Sequence, residues 1–208
     1  MVPVLHIITD DGILARADFV AQARAVMAAL GRRGAIHLRG RETSARLLYQ
    51  MATTLAPTAA STGAWLVMND RADVALAAGI NCLQLTSRSL TPADVRRMPG
   101  RWELGVSVHS PAEARAAERE GADWIIAGHI FETPTHPGHG GGPQFVAAVA
   151  AATALPLIAI GGITPETVPS VRAAGAHGIA VIRGIWSAND APGAATAYVT
   201  AYDAGRHE

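Results

Sequence analysis

Lysine is absent from all 208 residues of this chain, and its 17 basic side chains are all arginine. That absence excludes Schiff-base chemistry on a lysine, and with it lysine-dependent aldolases and enzymes that hold pyridoxal phosphate covalently. Any phosphate must be held by arginine, by backbone N–H groups or by a metal. Cysteine is nearly absent too. The single Cys82 excludes an internal disulfide and reads, within a strand-like run, as a small core residue. Neither charge sign is in excess, at 17 basic against 17 acidic residues, and no basic run exceeds two. Nucleic-acid binding therefore has no electrostatic support. No apolar run is long enough to span a membrane, and Met1-Val2-Pro3-Val4 lacks a signal-peptide layout. A cytoplasmic protein without a membrane partner is expected.

Half the residues are hydrophobic, enough for a sizeable core. Short apolar runs alternate with amphipathic or alanine-rich stretches. The strands read as Val4–Thr9, Ala35–Arg39, Trp65–Asn69, Cys82–Thr86, Glu103–Val108, Trp124–Gly128, Leu157–Gly161 and Gly178–Arg183. Helices are expected over Ala17–Leu30, Ser44–Leu55, Arg71–Ala78, Pro92–Arg97, Pro111–Glu120, Pro143–Ala152, Pro165–Ala174 and Pro192–Ala204. Ser110-Pro111-Ala112-Glu113 and Thr164-Pro165-Glu166 carry helix-start signatures. Eight alternations predict a single α/β domain over residues 1–208, a closed (β/α)8 TIM barrel; a doubly wound open sheet is the nearest alternative.

Catalysis in a barrel occurs at the C-terminal strand ends. Polar residues there are Thr9, Asp10 and Asp11; His37, Arg39 and Arg41; Asn69, Asp70 and Arg71; Gln84 and Thr86; Ser107 and His109; His129 and Glu132; Gly161 and Gly162; Arg183 and Gly184. His129 follows a buried strand and precedes the Gly-, Pro- and His-rich segment Phe131–Gly142. A histidine so placed can move protons near neutrality, and the segment has the composition of an active-site lid. The glycine turns Gly161-Gly162 and Arg183-Gly184 stand at the usual phosphate end. His129, His136 and His139 are spaced like metal ligands but lack Asp, Glu or Cys partners nearby, so no metal is assigned. Structural roles are expected for His6, His37 and His177. Asp10 and Asp11 read equally as a base or a cap, and Arg39 equally as a site residue or a rim ion pair with Asp10 or Glu42.

In order along the chain, Ile36-His37-Leu38-Arg39, Met68-Asn69-Asp70-Arg71-Ala72-Asp73, Gly105-Val106-Ser107-Val108-His109-Ser110, Gly128-His129-Ile130-Phe131-Glu132-Thr133 and Ala159-Ile160-Gly161-Gly162-Ile163 resemble the thiamine phosphate synthase/TenI superfamily of small (β/α)8 proteins. The resemblance implies one of two activities. A synthase joins a pyrimidine pyrophosphate to a thiazole phosphate with magnesium; a TenI-type tautomerase isomerises a thiazole carboxylate phosphate without a cofactor. The synthase pattern Arg-Glu-Lys is here Arg39-Gly40-Arg41, its strand-6 loop lysine matches His136, and its second magnesium aspartate matches Ser89, while Asp70 is retained. The histidine of the TenI pattern maps onto His129.

These departures favour the tautomerase. The resemblance then implies His129 as the proton shuttle, with the phosphate on Gly161, Gly162, Arg183 and Gly184. Arg39 would face the carboxylate, with Arg41 beside it; Asn69 would orient the ring, with Ser107 and His109 lining the site and Thr133–Gly142 as lid. The alternatives are the magnesium-dependent synthase and a non-catalytic binder of thiazole or thiamine phosphate. The partner expected is a small phosphorylated thiazole. A homo-oligomer stays open, and Trp186 reads equally as core or as subunit contact.

Overall fold

A computed structural model describes residues 1–133, 137–138 and 140–204. Eight parallel strands pair in chain order: β1 Leu5–Ile8, β2 Gly34–Leu38, β3 Trp65–Asn69, β4 Cys82–Leu85, β5 Glu103–Val108, β6 Trp124–Ala127, β7 Leu157–Ile160 and β8 Gly178–Val181. β8 returns to pair with β1, Leu5 opposite Ile179, so the sheet closes as expected and the open-sheet alternative is excluded. The helices are α1 Asp11–Leu14, α2 Phe19–Leu30, α3 Ala45–Thr62, α4 Ala72–Ala78, α5 Pro92–Val95, α6 Pro111–Arg119, α7 Gly142–Ala150, α8 Val168–Ala173, α9 Arg183–Trp186 and α10 Ala191–Ala204. None of the described helices is long and apolar enough to cross a membrane.

The differences from expectation are local. The single-turn helices α1 and α9 sit at strand ends, too short to show a helical period. α3 runs through Pro57 to Thr62 and ends where Gly63 adopts a left-handed conformation, its N–H donating to Ala59 O. Ser110 caps α6, accepting from Glu113 N at 3.2 Å. Thr164-Pro165-Glu166 instead forms a turn, closed by Thr167 Oγ1 on Thr164, and α8 begins after it.

Strand side chains alternate between the barrel lumen and the layer under the helices. In the outer layer Ile7, Ile36, Met68 and Leu83 are fully buried hydrophobics. The lumen is unusually polar: His6, His37, Asn69 and Gln84 are all buried there and hydrogen-bonded across strands. It stays closed because Trp124 fills its middle. The Trp124 indole N–H donates to Gln84 Oε1 at 3.1 Å, reaching over β5 at Gly105. A Cβ on Gly105 would collide with both the indole and the Gln84 amide, so only glycine fits. Trp186 is core: its indole donates to Ile8 O at 3.0 Å and its ring lies 5.4 Å from that of Phe19. Cys82 is buried as expected, and burial pushes its thiol up to about 12.

Candidate active site

The loops after β1 and β2 are locked together. Thr9 Oγ1 accepts from Arg39 N at 2.8 Å and faces the carbonyls of His37 and Arg39 at 2.9 and 3.0 Å. Asp10 caps α1, accepting from Ile13 N at 2.9 Å, which settles it as a cap. Asp11 reaches across to the β2 loop. Its carboxylate accepts from the N–H groups of Arg41, Glu42 and Thr43 at 3.0, 3.0 and 2.8 Å, and from Thr43 Oγ1 at 2.7 Å. The Thr43 hydroxyl and these backbone donors hold the carboxyl down at about 2. Gly40 makes the approach possible, since a Cβ there would lie 2.8 Å from Asp11 Oδ1 and against the Thr43 hydroxyl. The sequence pattern signalled neither Asp11's clamp nor the need for Gly40.

Arg39 is half buried at the barrel mouth, and Arg41 is exposed beside it. The rim ion pair with Asp10 or Glu42 does not form; among the described residues Arg39 makes no ion pair. Burial lowers its pKa, Arg41 and Arg88 push the same way, and Asp70 and Asp10 oppose them. Three arginines thus converge on one rim. Arg88, in the β4 loop, escaped sequence reasoning.

Asp70 is the one described non-glycine residue at positive φ, 60°. Aspartate tolerates this left-handed conformation. Its Oδ1 accepts from Thr86 N at 3.0 Å, from Thr86 Oγ1 at 2.8 Å and from the Ser89 hydroxyl, so the β3 and β4 loops are joined through it. Asn69 lies just inside, its amide 3.1 Å from His37 Nδ1. His37 fills the lumen as expected, and His6 and His177 are held by the backbone carbonyls of Pro3 and Val2. Ser107 is half buried and accepts from Gln84 Nε2 at 3.1 Å.

Across the mouth, His109 and His129 stack with ring centroids 6.3 Å apart. His109 Nδ1 lies 2.8 Å from Gly128 O; a carbonyl only accepts, so this nitrogen carries the proton and Nε2 is the basic atom. The start of the β6 loop is tied to β7 by Ile130 N to Ile160 O and Phe131 N to Gly161 O, and to its own end by Gly141 N to His129 O and Gly142 N to Ile130 O. Gly161 and Gly162 have φ of 114° and 62° and pack against this loop; a Cβ on Gly162 would lie 2.7 Å from Glu132 O. Gly184 leaves room for the Tyr198 hydroxyl, and Arg183 is exposed. The N–H groups of Gly161, Gly162, Arg183 and Gly184 find no acceptor among the described residues. Pro134, Thr135, His136 and His139, four of the ten residues of the expected lid, lie outside those residues. Among the described residues no three His, Cys, Asp or Glu side chains gather as a metal site.

A family profile described as thiamine monophosphate synthase matches residues 5–185. The chain belongs to the thiamine monophosphate synthase family. A thiamine-phosphate synthase of Methanoculleus marisnigri is 37% identical over 194 residues, 92% of this chain and 91% of the relative. One of Chlorobium luteolum is 39% identical over 189 residues, 89% and 86% of the two chains. The solved thiamine phosphate pyrophosphorylase of Pyrococcus furiosus superposes with a TM-score of 0.86 at 28% identity, covering 98% of this chain and 96% of its own. Within the thiamine monophosphate synthase family these relatives overturn the expected tautomerase, and with it the isomerase class: they carry the synthase name. The expectation gave too much weight to His129, to the missing lysines and to Ser89 in place of an aspartate. Arginine supplies the same positive charge, and the structure gathers Arg39, Arg41 and Arg88 on one rim.

Proposed function

We propose that this chain joins a pyrimidine diphosphate to a thiazole phosphate, forming thiamine phosphate and releasing pyrophosphate. The observation that carries this reading is Arg39, half buried and without an ion-pair partner among the described residues, near Arg41, Arg88 and Asp70. A guanidinium taken from water without an anion is costly, and a bound diphosphate offsets that cost. Its oxygens suit the forked donors of several arginines.

The bond that forms joins the thiazole ring nitrogen to the methylene carbon on the pyrimidine; the bond that breaks joins that carbon to the diphosphate oxygen. The attacking nitrogen carries no proton, so the step needs no general base, and His129 has no proton to take. The demand is for stabilised negative charge on the leaving group, which fixed arginines meet. The resemblance implies magnesium, and the residues present fit it. The three hydrogen bonds of Asp70 all fall on Oδ1, and one carboxylate with substrate phosphate oxygens is a common magnesium arrangement. Asp70 would hold the ion, which when bound supplies further charge neutralisation. Thr86 and Ser89 fix that carboxylate, and Asp11 fixes the Arg41 backbone. The N–H groups at Gly161, Gly162, Arg183 and Gly184, without an acceptor among the described residues, would take the thiazole phosphate, with His109 and His129 stacked at the same mouth.

Incubation with the pyrimidine diphosphate, the thiazole phosphate and magnesium is expected to yield thiamine phosphate and pyrophosphate in equal amounts. Folded protein that releases neither overturns the reading.

A further inference from the structure

A buried N–H without an acceptor has given up its hydrogen bond to water for nothing, and such groups are rare. Among the described residues only two buried side-chain polar atoms lack a partner, Gln22 Oε1 and Trp102 Nε1. Gln22 still engages through its NH2, which donates to Asp18 at 2.8 Å. The Trp102 indole has one polar atom, and that atom is the one left over. The indoles of Trp124 and Trp186, by contrast, donate at 3.1 and 3.0 Å.

Trp102 immediately precedes β5, so it stands at the end of the barrel opposite the arginine-lined mouth. Its side chain, 6% exposed, forms one wall of a cleft of about 160 Å³ between the turns that lead into β4 and β5. Leu76 and Ile80 supply apolar surface there, and Leu76 is 45% exposed. Gly100 lines the cleft beside the indole nitrogen, where a Cβ would lie 4.0 Å from Nε1; glycine leaves that approach free of a side chain.

The remaining lining is electropositive or donating. Arg101 is exposed and makes no ion pair among the described residues. Asn81 Oδ1 faces the Cys82 thiol at 3.7 Å, which leaves its NH2 for a ligand. No acid opposes an anion here. Glu103, next in the chain, alternates to the other face of the sheet and pairs in register with Cys82. Asp123 is neutralised by Arg96, which also donates to Trp102 O at 2.5 Å. The unmet demand is for a negatively charged acceptor with an apolar body.

We propose that this cleft binds a small carboxylate with a short branched apolar tail. The carboxylate accepts from Trp102 Nε1 and pairs with Arg101, and the tail packs on Leu76 and Ile80. The volume is the liquid share of about five water molecules, which suits a ligand of that bulk and is too small for a pyrimidine diphosphate. The site therefore stands apart from the synthase reaction and does not rest on it.

Isovalerate is the probe, titrated into the intact protein labelled with nitrogen-15. One indole N–H resonance, the one lost in Trp102→Phe, is expected to move downfield and saturate with a Kd of about 1 mM, ordinary for a ligand so small. The Trp124 and Trp186 resonances should stay in place. If Trp102→Phe does not fold, sequential assignment of the wild type identifies the same resonance. Arg101→Gln, a change at the exposed surface, should weaken binding about 3–10-fold, and isovaleramide, which has the shape without the charge, should bind at least as much more weakly. Absence of a saturable shift well above that Kd overturns the proposal. So does equal binding of isovaleramide, or of inorganic phosphate, since charge or tail would then contribute nothing.

Discussion

The substitution Asp11→Asn separates the clamp on the arginine loop from the arginines themselves. The new amide would keep an oxygen for Glu42 N, Thr43 N and Thr43 Oγ1, but would turn an NH2 toward Arg41 N, which Asp11 Oδ2 holds at 3.0 Å. One charge-assisted bond is lost and the others weaken. Such a bond is worth about 1.5–3 kcal/mol, and discounting for partial exposure leaves about 1–2 kcal/mol. For a chain of this length that corresponds to a fall in Tm of about 2–8 °C. Freeing Arg41 adds the cost of ordering it on binding, so KM for the pyrimidine diphosphate should rise about 3–10-fold with a smaller change in kcat. The pH dependence has a definite sign. The carboxyl is depressed from 3.8 to about 2 in the folded state, so its stabilisation is complete above about pH 4 and disappears as pH falls through 2. The Tm difference between wild type and variant should therefore be full at pH 7 and vanish near pH 2. An unchanged Tm and KM at pH 7, or a difference that grows on acidification, would refute the role given to Asp11.

Gly105→Ala forces a methyl group into the Trp124 indole and the Gln84 amide, and should destabilise the barrel by about 1–3 kcal/mol or more in urea unfolding; a neutral result would mean that the lumen is loosely packed. Asp70→Asn should raise the magnesium concentration giving half-maximal synthase activity at least several-fold; an unchanged magnesium response removes Asp70 from the site. Cys82, buried with its thiol pushed up to about 12, should resist thiol reagents in the native protein and react on unfolding, and rapid native labelling would contradict its burial.

The strands were legible to within one or two residues because a parallel barrel buries them on both faces and leaves continuous apolar runs. The helix expected to stop at Leu55 runs on through Pro57 as α3, whose alanine-rich sequence carries it to the Gly63 stop. The rim residues followed from position alone. The links among them did not: Asp11 with the β2 loop and Asp70 with Ser89 each join loops far apart in sequence, and Arg88 stands within charge range of Arg39, with no period to reveal any of them. A basic residue in the β4 loop of a chain without lysine was the one available signal for Arg88. The choice between two activities failed because it rested on residue identities at His129, Arg41, His136 and Ser89, and the relatives carry the synthase name all the same.

Thiamine phosphate formation by wild type and Arg39→Gln, measured side by side against pyrimidine diphosphate concentration, tests the account most directly. Wild type should form product, and the variant should need about 10–100-fold more diphosphate, as expected for a lost bond to a charged group, with the KM for thiazole phosphate little changed. Wild type that forms no thiamine phosphate, or a variant with an unaltered diphosphate KM, would contradict the assignment of this arginine-lined mouth to the leaving group of a synthase.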